Sequence, residues 1–315
     1  MLKFILIRLA EGVVTLLASS LLVFSALFLS PGDPIAILVG NRSVSDETIA
    51  ALRADYHLDQ PFLLRWISWL GDVLAGNWGQ SMTFRDDVWN LLAPRLGTTA
   101  LLLGLGLLLL IVVGVGLGIV AAVSGRRVSD VLLALTSVGV AVPSFVAALL
   151  LISVFAIGLG WFPTFGSGEG LGGRLHHLVL PAIALTLSAG SYVVRVTRSA
   201  LREESQRDHV QTAIGRGLPR GRIVGHHVVR NALTPIATVV AVTMTSLVIG
   251  SIVVEKAFAL DGVGLLLTDT VLRKDFAVVQ AISLLMIGFV VIVTLLVDVL
   301  QVVVDPRMRA KVVAR

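Results

Sequence analysis

Six stretches of mainly apolar residues, each at least 19 residues long, constrain the fold of this 315-residue chain more than any other feature. They cover residues 9–30, 98–124, 131–159, 178–196, 233–254 and 277–304. A helix needs about 20 apolar residues to cross the roughly 30 Å hydrocarbon core of a bilayer, because it rises about 1.5 Å per residue. The runs therefore predict an all-α membrane protein with six transmembrane helices. They are too long and too continuous for the short alternating strands of a membrane barrel.

Composition narrows the class further. Hydrophobic residues make up 56% of the chain and charged residues only 14%, against about 25% charged in soluble domains. Lys3 and Arg8 precede the first run as in a secretory signal, but SALFLSPGD has no A-x-A cleavage site, so we expect an uncleaved first helix. The chain has no cysteine, which excludes disulfides, thiolate metal ligands and cysteine nucleophiles.

The basic residues are distributed unevenly between the two sides of the predicted bundle. Sixteen of the 25 Lys and Arg residues lie in the 61 residues of segments 1–8, 125–130, 195–230 and 305–315. The other nine lie in the 107 residues of segments 31–96, 160–177 and 255–277. The positive-inside rule therefore predicts that both termini are cytoplasmic, and topology explains the net charge of +5 without a nucleic-acid partner. Arg195, Arg198 and Arg202 follow the fourth run in a pattern typical of side chains that reach lipid headgroups.

The segment 31–96 is predicted to be a helical extracytoplasmic insertion. It contains eight acidic residues, five arginines and four of the five tryptophans. Ser45 is a good helix N-cap, and after Pro61 the side chains of Trp66, Leu70 and Val73 fall on one helical face. Such helices either rest on the membrane surface or dock a partner, and both interpretations stay open. The predicted units are a first helix at 1–30, the insertion at 31–96 and a five-helix core at 97–315.

Polar and small residues inside the runs indicate packing more than chemistry. Gly114, Gly116 and Gly118 predict a close helix contact. Glu11 and Asp298 lie near the cytoplasmic ends of their runs, and for Asp298 a salt bridge or snorkelling contact is favoured over a proton relay. Prolines lie in or at the ends of the third, fourth and fifth runs, at Pro143, Pro181 and Pro235.

No catalytic or metal-binding pattern is present in the sequence. It lacks H-E-x-x-H, G-x-S-x-G and the phosphate loop G-x-x-x-x-G-K-[ST]. The adjacent pairs His176–His177 and His226–His227 project their side chains in different directions from a helix, so neither pair makes a metal site alone. We therefore expect no catalytic residue, no metal and no bound cofactor in this chain.

The basic loop between the fourth and fifth runs contains a short predicted helix. Asp208 and Gln211 have the spacing of a capping box, Gly215 and Gly217 end the helix, and Gly217 suits a left-handed exit residue. Pro219 suits the first turn of the next helix. By composition alone, the basic loop is also explained by the positive-inside rule, under which loops rich in Lys and Arg stay in the cytoplasm.

The order Gln211-Thr212-Ala213, three residues, Gly217 resembles the EAA motif of importer-type ABC permeases. The resemblance extends through GNWGQS, AVPSF, LGWFPTFG, HLVLPAIAL, DHVQTAIGRGL, VVRNALTPI and LLVDVLQVVVDPR. Together these stretches are similar to the dipeptide, oligopeptide and nickel permease family, in the subunit with a long loop after its first helix. The sequence departs from the family in two places. Gln211 and Thr212 replace the acidic residue and alanine of the general motif, whose closing I-x-L-P is replaced by HVVR at 227–230, and ALDGVG in the last outer loop differs from the aromatic and proline-bearing versions of the family.

The resemblance implies that residues 208–217 form a coupling helix for an ATPase subunit. Its residues would be Asp208, Gln211, Thr212, Ala213, Gly215 and Gly217, with small Ala213 allowing close approach of the ATPase. The implied partners are a second permease, two cytoplasmic ATPases that bind ATP and magnesium, an extracytoplasmic solute-binding protein, a peptide substrate and the bilayer. The implied location is the cytoplasmic membrane of a bacterium or archaeon.

Six polar residues are candidates for the substrate path, at Ser144, Ser188, Ser191, Tyr192, Thr243 and Ser246. The alternative cargoes are nickel chelates, glutathione and haem. Three other classes stay open on the residues alone: an ion-coupled secondary transporter, a membrane-bound enzyme, and a non-transporting anchor or receptor.

Overall fold

A computed structural model describes residues 2–28, 45, 47 and 60–304. Within these ranges the chain forms ten helices and a single β-bridge between Gln80 and Asp87. The helices are α1 (Leu2–Phe28), α2 (Phe62–Leu74), α3 (Val88–Val123), α4 (Arg126–Ala141), α5 (Ser144–Gly158), α6 (Gly170–Ser205), α7 (Asp208–Gly215), α8 (Arg220–Ala257), α9 (Val263–Leu272) and α10 (Phe276–Val304). The all-α prediction is confirmed. The helix predicted to begin at Ser45 lies largely outside the described residues.

Five helices are long and apolar enough to cross a membrane, namely α1, α3, α6, α8 and α10. The pair α4 and α5 qualifies as a sixth if it counts as one broken span. The helices also extend further than the apolar runs. In particular, α3 begins at Val88, so the predicted domain boundary at 96/97 falls inside a continuous helix.

The run 131–159 was expected to form one helix, but the structure bends it by 102° between α4 and α5. The break is at Val142, whose ψ of 115° is extended, directly before Pro143. A residue that precedes proline is driven out of the helical region by a clash with the proline ring. Pro143 therefore ends α4 and starts α5.

Helix α6 lies at the centre of the molecule and packs against α3, α4, α5 and α8. The α3 contact is close because Gly114 and Gly118 face α6, where Val193 and Thr197 fill the space beside them. A methyl group on Gly116 would have no neighbour within 4 Å, so only two of the three glycines serve the contact. The predicted small-residue interface is confirmed for the pair four residues apart.

Helix α1 packs along α10, with Gly12 directly opposite Val291. At the end of this contact, Arg8 Nε lies 3.2 Å from Asp298 Oδ2. The salt bridge expected for Asp298 is therefore present. Helix α1 and helix α10 hold each other by both apolar contacts and charge.

Helix α2 begins after Pro61, as expected, and it buries the face that carries Val73. It contacts the far end of α1, where Trp66 Nε1 donates to Ser20 Oγ at 3.2 Å and Phe62 lies against Phe24. The described part of the insertion is thus anchored to the first transmembrane helix. Its opposite face, with Leu63, Leu64 and Ile67, is exposed.

Candidate coupling site and translocation path

The short helix α7 lies between the two long helices α6 and α8, as predicted for residues 208–217. Its two inward side chains, Val210 and Ala213, are 1% and 4% exposed and belong to an apolar cluster of the chain itself. The other members of the cluster are Leu201, Ile223, Val228, Ala232 and Ile236. Apolar burial therefore fixes α7 to α6 and α8.

The inward position of Ala213 changes its expected role. The resemblance implied that its small side chain allows close approach of another subunit. In the structure, Ala213 faces the chain's own core and is almost fully buried, so the close approach that it permits is that of α7 to α8. Ala213 follows Val210 by three residues, a spacing that puts both side chains on one helix face. This spacing was the sequence signal for a buried face.

The N-terminus of α7 differs from the predicted capping box. The cap residue is Arg207, and Asp208 is the first helical residue, with no side-chain capping bond. Gln211 instead donates to the carbonyl of Ser205 at 3.2 Å, and Thr212 donates to the carbonyl of Asp208 at 2.9 Å. Asp208 still places a negative charge at the positive end of the helix, which is favourable.

The C-terminus of α7 follows the prediction. Gly217 has a φ of +73°, a left-handed conformation that side chains with a Cβ rarely adopt. Its N–H donates to the carbonyl of Ile214 at 2.9 Å, and the N–H of Leu218 donates to that of Ala213 at 3.3 Å. These two bonds make a Schellman motif, which turns the chain sharply towards α8. Gly215 has ordinary dihedrals and open space around it, so the structure does not require glycine there.

Glu204, at the end of α6, holds the start of α7 in place. One of its carboxylate oxygens lies 3.0 Å from Arg207 Nε, and the other lies 3.3 Å from His209 Nε2. His209 Nε2 also lies 3.2 Å from Asn231 Nδ2 on α8. Because Glu204 is only 8% exposed, these contacts tie three consecutive elements together at one point. Sequence reasoning missed Glu204, since it follows the apolar run among other charged residues.

The side of α7 that points away from the bundle is exposed. Asp208, Gln211, Thr212 and Gly215 are exposed there. Ile214, an apolar side chain, is 52% exposed among them. Five of the six predicted coupling residues are therefore exposed, and Ala213 alone is buried.

The candidate path residues fall into two groups. Ser188 and Ser191 lie on the face of α6 that packs against α4: Ser188 donates to the carbonyl of Val140 at 3.3 Å, and Ser191 lies against Gly139. Tyr192 extends this face and is 52% exposed. Ser144 is half-buried at the start of α5, directly after the bend.

The two α8 candidates differ from each other. Thr243 is buried and donates to the carbonyl of Val239 in its own helix at 2.6 Å. Ser246 is exposed, on a face of α8 that also carries Val242, Ile249 and Val253. The structure thus brings Ser188, Ser191 and Tyr192 together and leaves Ser246 on a separate helix face.

A buried carboxylate near the C-terminal end of α8 was not predicted. Glu255, at the end of α8, is fully buried and accepts bonds from Thr99 Oγ1 at 2.7 Å and from the N–H groups of Gly264 and Leu265 at 2.6 and 3.1 Å. It therefore caps the N-terminus of α9. A side chain at Gly262 or Gly264 would meet this carboxylate. The sequence signal was an acid that follows a 22-residue apolar run and precedes G-V-G.

A second buried acid, Asp275, connects the insertion to α10. Ser81 Oγ and the N–H of Thr83 both donate to Asp275 Oδ2, the latter at 3.0 Å. Asp275 is fully buried and directly precedes α10. The end of the insertion and the start of the last helix are therefore fixed to each other.

Two family models together cover nearly the whole chain. The model described as binding-protein-dependent transport system inner membrane component matches residues 114–310, and its N-terminal companion matches residues 1–103. The chain belongs to this family. This binding-protein-dependent permease is therefore a multi-pass protein of the inner membrane, and its family is one of transport components and not of catalytic enzymes.

Curated relatives align with the permease over its full length. It is 36% identical to a putative peptide permease protein of Brucella ovis over 98% of this chain and 99% of the relative. It is 33% identical to an oligopeptide transport system permease protein of Salmonella typhimurium, over 98% of this chain and all of that protein. A probable peptide ABC transporter permease protein of Sinorhizobium fredii is 32% identical over 97% of this chain and 99% of the relative.

Solved structures agree on the fold. A chain of the MetNI methionine ABC transporter, in an inward-facing crystal form, superimposes with a TM-score of 0.54 at 17% identity. The match covers 68% of the permease and 96% of the MetNI chain. At this identity the likeness concerns the fold alone, and it confirms the importer-type permease architecture expected from the sequence.

Proposed function

We propose that this chain is the membrane-spanning subunit of an ATP-driven peptide importer and forms one half of a heterodimeric translocation path. Its relatives in three bacterial genera carry peptide or oligopeptide permease names over nearly their whole length, which supports peptides as the cargo. Ion-coupled transport needs acidic residues within the membrane that bind the coupling ion. It is disfavoured here, because two candidate acids of this chain make structural contacts instead. Asp298 is paired with Arg8, and Glu255 caps α9.

The observation that carries the proposal is the two-sided construction of α7. One side, with Val210 and Ala213, is buried in the chain's own cluster, and the other side is exposed and carries the half-exposed Ile214. A helix fixed in this way moves with α6 and α8 when its outer face is pushed. The ATPase subunits, which would bind ATP and magnesium, supply that push in the proposed mechanism, and this chain binds no cofactor itself.

The remaining partners follow from the proposed topology. The N-terminus, α7 and the C-terminus are cytoplasmic, and the insertion, with α2 and Asp275, faces the extracytoplasmic side. A solute-binding protein delivers peptide to that side, where the described part of the insertion is fixed to α1 and α10. A second permease subunit closes the path, and Tyr192 on α6 and Ser246 on α8 are the exposed polar candidates for its lining.

The coupling role is tested with a pair of valine substitutions. Gly217→Val places a β-branched residue at a φ of +73°, whereas Gly221→Val is the matched control in the same segment with ordinary dihedrals and open space. In the reconstituted transporter we expect Gly217→Val to abolish most of the ATP hydrolysis that the binding protein stimulates, and Gly221→Val to retain it. The left-handed conformation costs a residue with a Cβ about 1–2 kcal/mol, enough to redirect the exit from α7. Equal stimulated hydrolysis in both variants, with intact assembly, rejects the coupling role.

The topology is tested by single-cysteine labelling, for which a chain without cysteines is a ready background. Thr212 and Asp86 are both exposed, and the proposed topology puts them on opposite sides of the membrane. We expect an impermeant maleimide to label Asp86→Cys in intact spheroplasts, and to label Thr212→Cys only after lysis. The reverse pattern inverts the proposed orientation and leaves the family unaffected.

A further inference from the structure

Three arginines on one face of α6 form a partly buried cationic stripe against α4. Arg195, Arg198 and Arg202 are all partly buried, and they lie at positions spaced three and four residues apart, which share a helical face. Their hydrogen bonds go to uncharged groups of α4. Arg198 Nε and Arg202 Nη2 donate to Ser129 Oγ at 2.8 and 3.2 Å. Arg195 donates to Ser137 Oγ, to Thr136 Oγ1 at 3.2 Å and to the carbonyl of Leu133 at 3.4 Å.

The stripe lacks the negative charge that the chain supplies to other arginines. Arg8 is paired with Asp298, and Arg95 with Asp261 at 2.8 Å. Among the described residues, Arg195, Arg198 and Arg202 form no ion pair; the nearby Asp130 acts on Arg198 only through space, and its carboxylate lies 3.7 Å from Arg126 Nε. Hydroxyl and carbonyl acceptors orient the guanidinium groups without neutralising them, so three like charges stay crowded together.

Many donors of the stripe also remain available. Three guanidinium groups carry fifteen N–H donors, since each has five. The bonds above, all within the described part of the chain, use five of the fifteen. Ser129, which is fully buried, is shared by two of the arginines and holds them side by side. The three guanidinium groups are therefore oriented and partly desolvated, an arrangement that suits the oxygens of a phosphate.

The position of the stripe along α6 selects the source of the phosphate. Helix α6 has 36 residues and is about 54 Å long, well beyond the roughly 30 Å hydrocarbon core. Arg195 lies ten residues before the end at Ser205, about 15 Å from it, so the stripe occupies the depth of the inner headgroups in the proposed topology. Basic pockets between transmembrane helices at this depth attract anionic headgroups, because the inner leaflet is negatively charged.

We propose that Arg195, Arg198 and Arg202, positioned by Ser129 and Ser137, form a binding site for the phosphate of an anionic phospholipid in the cytoplasmic leaflet. The lipid phosphate supplies the direct ion-pair partner that the described residues do not give these three arginines. The bound lipid also links α4 to α6, because the arginines of α6 that hold it are oriented by side chains of α4. The site rests on the proposed orientation of the chain but not on its cargo.

The test is native mass spectrometry of the assembled transporter, released from nanodiscs that contain equal amounts of phosphatidylglycerol and phosphatidylcholine. A site variant carries Arg195→Gln, Arg198→Gln and Arg202→Gln. A control variant loses the same charge at three exposed arginines of the same side, through Arg127→Gln, Arg220→Gln and Arg222→Gln. We expect the wild type and the control to retain phosphatidylglycerol with at least about tenfold preference, and the site variant to show a preference near one. Each arginine at a membrane surface changes such a preference by about fivefold.

A milder variant distinguishes loss of the lipid site from misassembly of the transporter. Ser129→Ala keeps all three charges and removes the shared acceptor, so we expect a loss of preference of about threefold to tenfold. An unchanged preference in both the site variant and Ser129→Ala overturns the proposal. So does displacement of the bound lipid by millimolar inorganic phosphate, since the site then takes a free ion. If instead the site variant raises the KM for peptide uptake while lipid retention is unchanged, the arginines serve the substrate and the lipid site is rejected.

Discussion

The contact between α3 and α6 permits a sharply controlled prediction. Gly118 and Gly116 lie two residues apart in one helix, and both can be changed to alanine. At Gly118 the new methyl group meets Thr197 Cβ at 2.5 Å and the Val194 carbonyl oxygen at 3.0 Å. At Gly116 it meets nothing within 4 Å. The two substitutions add the same atom to the same helix, so their difference isolates the steric cost.

The magnitude follows from these distances. Carbon atoms in ordinary contact are about 3.5–4.0 Å apart, so α3 and α6 must separate by roughly 1 Å to accept the Gly118→Ala methyl group. Thr197 cannot rotate away, because it is β-branched and fully buried. Overpacking of this kind costs about 1–3 kcal/mol, whereas alanine in place of glycine gains up to about 1 kcal/mol of helix stability at both sites. We therefore expect Gly116→Ala to be neutral or stabilising and Gly118→Ala to be less stable than it by about 1–3 kcal/mol.

The assay is the free energy of unfolding in one detergent, followed by circular dichroism during titration with a denaturing detergent. Both variants and the wild type are compared at the same protein concentration. Equal unfolding free energies for the two variants refute the close approach of α3 and α6. If Gly116→Ala is instead less stable than Gly118→Ala, then the face of α3 that contacts α6 is the one that carries Gly116.

The remaining predictions concern buried polar groups. Glu255→Ala leaves two N–H groups and Thr99 without their acceptor and lowers the free energy of unfolding by about 2–4 kcal/mol in the same assay, and a loss below about 1 kcal/mol contradicts its role as a cap. Asp275→Ala releases Ser81, so we expect faster cleavage between α2 and α3 by an added protease, and an unchanged cleavage rate argues against the link. The Thr197 hydroxyl is buried without a hydrogen-bond partner among the described residues, so Thr197→Val raises the free energy of unfolding by about 1 kcal/mol, and a decrease is the opposing result.

The sequence predicted most of the helices because hydrophobic runs of this length have one structural solution in a membrane. It also predicted the exit from α7, because glycine is required where φ is positive, as it is at Gly217. The break at Val142 was accessible in principle, since proline restricts the residue before it. It was missed because apolar content alone does not distinguish a straight span from a bent one.

The contacts of individual polar residues were much harder to predict. The capping box at Asp208 and Gln211 has the right spacing, but the chain places its cap one residue earlier, at Arg207. Which side of α7 is buried depends on the position of α8, and hence the burial of Ala213 within the chain itself was not foreseen. Glu255 finds Thr99, which is 156 residues away in the sequence, and no local pattern encodes that partner.

Helix α8 carries contacts at both of its ends, and this has a mechanical consequence. In its N-terminal part, Asn231 meets His209 of α7, and at its other end Glu255 holds α9. Its 38 residues span about 57 Å, so a tilt of only about 5° around its midpoint displaces each end by roughly 2.5 Å in opposite directions. That displacement is nearly the length of a hydrogen bond, enough to detach Glu255 from the N–H groups it binds. Under the proposed coupling, a rigid α8 that pivots within the bilayer therefore needs no relay of side chains to carry a movement of α7 to α9.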